Sequence, residues 1–328
     1  MPTIIDVAIA AGVSTATVSR VLSRPERVLP HTRERVLETV AALGYRPNVA
    51  ARTLRTLRAA KILVTVPDIS NPFFASVIRG AEEAARDAGY GVVLGDTRHD
   101  PDIEDQYGAM LLRREVDGLV FLGHHLPDNL AALAAGERAP IVNGCEYSAD
   151  LGVPSVHIDN AAAGADAMVH LADLGHRTIG VVTGPDVSPP SRDRLAGASA
   201  AAEQRGLVLR VARGDYSAQS GFDGAARLIA GGVTAIFCFS DVMALGAIGA
   251  VRAAGLSCPD DVSVIGFDDL PLAAFFQPAL TTIAQPTEAI GRRTVELLVD
   301  LLRGTGQVAA PDPMPHQLIV RRTTGAAR

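Results

Sequence analysis

The chain has no tryptophan and one lysine, Lys61, and only 4% of its residues are aromatic. Cysteine is scarce too. Cys145, Cys238 and Cys258 are odd in number and show no C-x-x-C spacing, which argues against a disulfide framework or a zinc site and for structural thiols in a reducing compartment. No run approaches the ~20 apolar residues that span a bilayer. The opening MPTIIDVAIAAG has neither a cationic n-region nor a signal-like apolar stretch, so the expected location is the cytoplasm, with no membrane partner. Catalytic signatures are missing as well: there is no G-x-x-x-x-G-K-[ST], no G-x-G-x-x-G after a strand, no G-x-S-x-G and no H-E-x-x-H. The eight histidines are scattered, and the adjacent His124 and His125 at a strand end suit a loop or cleft edge better than a metal. The expectation is a protein that is not an enzyme and holds neither catalytic residues, metal nor cofactor.

What is present is a globular composition with an uneven charge. A length of 328 residues suits about two domains, and 48% hydrophobic with 20% charged residues suits sizeable buried cores. The net charge of -6 hides a split. Residues 1–60 hold nine arginines against Asp6, Glu26, Glu34 and Glu38, a balance of +5, which leaves -11 for residues 61–328.

The basic portion reads as three short helices. Ile4, Ile5, Val7 and Ala8 begin a helical pattern that Gly12 interrupts, and Ser14 is placed to cap a second helix running through Leu22. A third, HTRERVLETVAALGY, puts Val36, Leu37, Val40 and Leu43 on one apolar face and ends at Gly44. Two helices joined at Ala11-Gly12-Val13 with a third packed on them predict a helix-turn-helix domain over 1–45. The bland alternative is a three-helix module without DNA. The +5 balance weighs against it, because basic residues release counterions from a duplex.

Residues 46–60 contain RPNVAARTLRTLRAA, with four arginines and no acid. They read as a solvated linker or as a hinge helix that orders on DNA, with Arg52 and Arg55 near phosphates and Leu54 as a minor-groove wedge. From Lys61 onward, short apolar runs alternate with amphipathic stretches. The runs are 62–66, 91–95, 118–123, 139–144, 155–159, 178–184, 234–240 and 262–268, and they predict βαβ units with parallel sheets covered on both faces. So many strands divide into two doubly wound lobes separating near Ile158–Asn160. Ligands of such sheets bind beyond the strand carboxyl ends, so facing lobes make a cleft.

The stretch IIDVAIAAGVSTATVSRVLSRPERVLPHTRERVLETVAALGYRPNVAARTLR resembles the head and hinge of the lactose/galactose repressor family of bacterial transcription regulators. The likeness continues in order through VPDISNPFFASVIRGAEEAARDAGY, DGLVFLG, VHIDN, HLADLGHRTIGVVTGP, FCFSDVMALGA, DVSVIGFDD and LTTIAQP. Within the family it resembles cytidine-responsive members, while the hinge AARTLR looks more like purine-responsive and other members. The resemblance implies a periplasmic-binding-protein-like body over 61–328. Lobe 1 would take about 61–158 and 288–310, and lobe 2 about 159–285 and 316–328.

Carried over position by position, the resemblance assigns Thr15, Ala16 and Arg20 to base edges. A guanidinium suits guanine O6 and N7, whereas alanine offers only apolar contact. Ser14, Thr17, Ser19, Thr32, Tyr45 and Asn48 match phosphate-positioning residues, and Leu54 matches the intercalating leucine. For the effector, Phe73, Phe74 and Tyr216 match cleft aromatics, with core packing the alternative for Phe74. Arg194 and Asp268 match the pair that binds polar effector atoms, a donor fork with an acceptor suited to vicinal hydroxyls. Asp159, Ser240 and Gln285 match further cleft positions. The sequence also departs from its relatives: Cys145, followed by Glu146, stands where many have an acidic or amide residue, and SPPSRD with Arg192 precedes Arg194. That loop does not reproduce purine contacts, so a nucleoside by overall likeness, or a pentose or other sugar, is the expected effector.

The implied function is sequence-specific repression. A homodimer, or a higher oligomer, would sit on near-palindromic operator DNA, with a small molecule between the lobes setting its affinity. A solute-binding protein would leave residues 1–60 without use. An α/β enzyme would need a nucleophile, phosphate loop or metal set that is not identifiable.

Overall fold

The computed structural model describes residues 2–46, 58–136, 139–147, 152–305 and 313–328. The chain divides into two units, Met1–Ala59 and Ala60–Arg328.

The first unit is built from local signals. Helix α1 (Ile4–Ala11) starts with a capping box in which Thr3 N donates to Asp6 Oδ2 at 2.7 Å and Asp6 N to Thr3 Oγ1 at 3.4 Å. It ends at Gly12, whose φ of 63° is the left-handed conformation a helix C-cap needs and a side chain resists. The chain then turns by 103° into α2 (Thr15–Ser23), and α3 (Pro30–Leu43) follows a short turn at Pro25–Arg27. Val7, Ala8, Ala11, Val18, Val21 and Val36 form the core, with Val40 and Tyr45 packed against it. The expected four-residue face of α3 is only half present, since Leu37 is 44% and Leu43 39% exposed. Leu37 is turned about 100° away from Val36 on a helix, and Leu43 lies in the final turn.

The second unit holds two sheets. In chain order the first has β1 (Lys61–Val66), β2 (Gly91–Asp96), β3 (Gly118–Phe121), β4 (Ile141–Gly144) and β5 (Ser155–Val156), arranged β2-β1-β3-β4-β5 and all parallel. The second has β6 (Thr178–Val182), β7 (Val208–Ala212), β8 (Ala235–Cys238), β9 (Ser263–Asp268), β10 (Thr281–Ala284) and β11 (Gln317–Ile319), arranged β11-β10-β9-β8-β6-β7. The expected parallel order holds for β6 to β10, while the edge strand β11, not among the runs read from the sequence, pairs antiparallel with β10. Strands β3, β4, β8 and β9 are buried throughout, as strands covered on both faces must be.

Helices α4 (Phe73–Asp87), α5 (Pro101–Leu112) and α6 (Ala131–Ala134) belong to the first sheet, and α7 (Asn160–Asp173), α8 (Pro189–Gln204), α9 (Ala218–Ala230) and α10 (Asp241–Ala253) to the second. Helix α11 (Thr287–Arg303) comes after β10 in sequence yet packs on α4, β3, β4 and β5 of the first sheet. The chain therefore passes between lobes at residues 157–159 and 285–286, and Ile158 bridges to Met314 where it returns.

Three helix pairs share one device. In α4/α11, Gly80 faces the backbone of Glu288 while Gly291 faces that of Val77; Gly164 and Gly197 do the same in α7/α8, as do Gly221 and Gly246 in α9/α10. A Cβ at any of the six would overlap the facing backbone, so the glycines set how closely the helices approach. Among the described residues no single helix is long and apolar enough to cross a membrane.

Candidate functional site

Helix α2 separates its residues cleanly. Val18 and Val21 face the core, while Thr15, Ala16 and Arg20 are exposed on the other side and Ser19 is half-buried between. Ser14 caps the helix, its Oγ accepting from Thr17 N at 3.1 Å and lying 2.9 Å from Thr17 Oγ1. The cap orders the N-terminal turn, the part of a recognition helix that meets base edges. Arg20 makes no side-chain hydrogen bond or ion pair among the described residues, so its whole donor fork stays free for an external acceptor. Thr32 is half-buried on α3, and Tyr45 packs on the helical core. Asn48 and Leu54, with most of the expected hinge, lie outside the described residues.

In the second unit a cavity of about 910 Å³ opens between the two sheets, in the range of small-molecule sites. It draws on strand and helix ends of both lobes: Phe73 and Phe74 open α4, Glu146 follows β4, and Ser188 precedes α8. Phe73, Phe74, Cys145, Arg194, Tyr216, Ser240, Asp268 and Gln285 all line it. Phe74 also belongs to the core, and meets Phe73 edge-on with ring centroids 5.1 Å apart.

Arg194 is buried and held at three points. Its Nε donates to Asn160 Oδ1 at 2.9 Å, its Nη1 to the Phe239 carbonyl at 2.7 Å, and its guanidinium lies 3.6 Å from the Phe267 ring centroid. Neither bond uses Nη2. Asp268 ends β9 with φ at 113°, a conformation side chains rarely adopt, and takes a hydrogen bond from Gln285 Nε2 at 2.8 Å. Burial pushes its carboxyl up to about 7, against the lowering effects of Arg194 and Gln285. Beneath it lies the fully buried Asp241, which accepts from Thr282 Oγ1 at 2.6 Å and Leu270 N at 2.7 Å. Burial and the charge of Asp268 raise Asp241 well above the ordinary carboxylate range, because neighbouring buried carboxyls resist double ionisation.

Two expected effector residues are elsewhere. Asp159 is exposed and caps α7, its Oδ1 accepting from Ala162 N at 2.9 Å, because a carboxylate just before a helix pairs with the free N–H groups there. Arg192 is exposed and is not among the residues that line the cavity, although its charge reaches His124, which does. Ser240 lines the cavity but also caps α10, accepting from Met243 N at 3.1 Å. Sequence reading missed two cavity residues, His124 as a ligand contact and Glu146. Glu146 Oε1 accepts from Ser188 Oγ across the lobes at 3.2 Å, and His124 Nδ1 is 3.5 Å from Oε2. That interaction raises the basicity of His124 above its ordinary value. Burial pushes the Cys145 thiol and the Tyr216 phenol up, so neither ionises readily. No group of three His, Cys, Asp or Glu among the described residues could hold a metal ion.

Comparisons with known proteins decide the family. A family model for "Bacterial regulatory proteins, lacI family" matches residues 3–48, and one for "Periplasmic binding protein-like domain" matches 168–324. The chain is 39% identical over 326 residues to the HTH-type transcriptional repressor CytR of Escherichia coli strain K12, covering 98% of this chain and 96% of that protein. The chain belongs to the lacI family. It is therefore a DNA-binding transcriptional regulator with a periplasmic-binding-like body, and its relatives are regulators rather than enzymes. Among solved lacI-family structures, the lac repressor dimer bound to operator and the anti-inducer ONPF is 31% identical, with a TM-score of 0.88 over 99% of both chains. A lacI-family regulator from Enterococcus faecium with bound ribose is 28% identical, with a TM-score of 0.74 over 82% of this chain and 100% of that one.

Proposed function

We infer that this lacI-family regulator represses transcription in the cytoplasm as a homodimer on a near-palindromic operator, and that a nucleoside in the inter-lobe cavity controls its hold on DNA. Two-fold protein symmetry calls for two-fold DNA symmetry, and the recognition helices read the half-sites through Thr15, Ala16 and Arg20. The likeness to CytR, named a repressor, supports the sign of regulation.

The observation that carries the nucleoside is the pairing of aromatic walls with a polyol-binding set. Phe73, Phe74 and Tyr216 line the same cavity as Arg194, Asp268 and Gln285, so one ligand can stack a flat base and present vicinal hydroxyls. The cavity also carries Asp68, Glu146, Asp215 and Asp268 against Arg98 and Arg194, a balance that disfavours a phosphorylated ligand. A pentose is the second reading, favoured by the ribose-bound relative and by the polar set alone.

Gel-shift titration of the full chain on a selected operator tests this, with cytidine, uridine, adenosine and ribose as added ligands. A nucleoside is expected to change operator affinity at concentrations where ribose does not. A response to ribose alone would replace the nucleoside by the pentose, and no specific duplex binding would overturn the repressor assignment.

A further inference from the structure

One buried oxygen in the cavity has only a long ion pair for company. Glu146 Oε2 is shielded from solvent and accepts no hydrogen bond among the described residues, whereas Oε1 of the same carboxylate accepts from Ser188. Its one neighbour within ion-pair reach among the described residues is His124 Nδ1 at 3.5 Å, which feels the carboxylate but stands beyond the 2.7–3.2 Å of a good N–H···O bond. Leaving a buried charged acceptor unmade is costly, and the group lies on a ligand cavity rather than in a sealed core. The carboxylate is also tied to an aromatic wall. Ser188 Oγ lies 3.2 Å from Glu146 Oε1 and 3.3 Å from Tyr216 OH, so a flat ring lying on Tyr216 has its edge close to Glu146.

We propose that Glu146 reads the base edge of the effector, its Oε2, which no hydrogen bond yet occupies, accepting an N–H, so that the regulator selects nucleosides bearing an exocyclic amino group over their oxo counterparts. The assignment rests on the nucleoside reading of the cavity and adds the chemistry at one end of it. An ionised carboxylate only accepts. Opposite an amino group it forms a charge-assisted hydrogen bond, while opposite a carbonyl two desolvated acceptors face each other. Arg194, Asp268 and Gln285 then serve the hydroxyls, and Glu146 serves the base.

The test is isothermal titration of the full-length protein with two matched pairs, cytidine against uridine and adenosine against inosine, so that ring size is constant within each pair. Wild type is expected to bind the amino member at least about tenfold more tightly, as sites built around a buried polar partner do. Glu146→Gln, whose side-chain amide both donates and accepts, is expected to bring each ratio close to one or reverse it. Its thermal unfolding, measured alongside, shows that the fold is intact. Equal wild-type affinity within both pairs, or a preference that survives in Glu146→Gln, overturns the role of Glu146 and leaves the nucleoside reading standing. Binding of ribose with none of the four nucleosides overturns the nucleoside reading and this assignment together.

Discussion

Two arginines show how differently the units of this regulator are organised. Arg20 stands exposed on α2 with no side-chain partner among the described residues, whereas Arg194 is buried under the cavity, bonded to Asn160 and Phe239 and stacked on Phe267. An exposed guanidinium keeps its donors hydrated until an external acceptor replaces the water. A buried one is tolerable only when the protein has already fixed it. The head thus holds its chemistry outward on a small scaffold, and the body holds its chemistry in place before any ligand arrives.

The strongest way to break this contrast is Arg194→Ala. It leaves the Asn160 oxygen and the Phe239 carbonyl without their donor, and should lower body stability by about 2–4 kcal/mol while abolishing measurable effector binding. Urea unfolding and ligand titration check the two effects separately. Arg20→Ala should instead leave stability within about 0.5 kcal/mol and cost roughly 1–3 kcal/mol of operator binding, with relaxed preference at one base position in a binding-site selection. An unchanged selection profile would remove Arg20 from base reading.

Asp268 sharpens the comparison through pH. Its carboxyl is pushed up to about 7 by burial, so the folded body holds a proton that the unfolded chain has released. This group's contribution to stability is full below the unfolded value of about 4 and is lost as pH rises through about 7. Hydroxyls of the proposed nucleoside or pentose would favour the ionised acceptor. Affinity should therefore increase by up to about tenfold per pH unit as pH approaches 7 and then level off, and Asp268→Asn should flatten the profile. The smallest effect is at the head: Ser14→Ala removes the cap bond to Thr17 N and should cost about 1 kcal/mol of head stability, read by thermal unfolding.

The head was legible because its signals are local. Gly12, Ser14 and Gly44 mark helix ends through bonds and dihedrals confined to a few residues. Leu37 and Leu43 misled because periodicity shows a stripe and cannot say how much of it a short partner covers. In the body, uninterrupted apolar runs announced the buried strands. Strand β7 escaped notice because it is largely exposed at a sheet edge, and the three-residue β11, with no fully buried position, shows no apolar run either. Asp159 matched a cavity position by resemblance, but its side chain caps a helix, and Arg192 is exposed with only its charge reaching the cavity-lining His124. Glu146 went unassigned because its meaning depends on Ser188, 42 residues away in the other lobe.

By itself the sequence determined the charge split, the three-helix head and the alternation of strands and helices, since each follows from neighbours along the chain. The return of α11 to the first lobe and the pairing of Arg194 with Asp268 were implied by the family resemblance, and only the tertiary structure decided that β11 runs antiparallel and that Glu146, held by Ser188 of the other lobe, joins them in one cavity. Those outcomes depend on surfaces brought together from opposite ends of the chain, where burial removes water and gives each remaining polar group a specific partner to find.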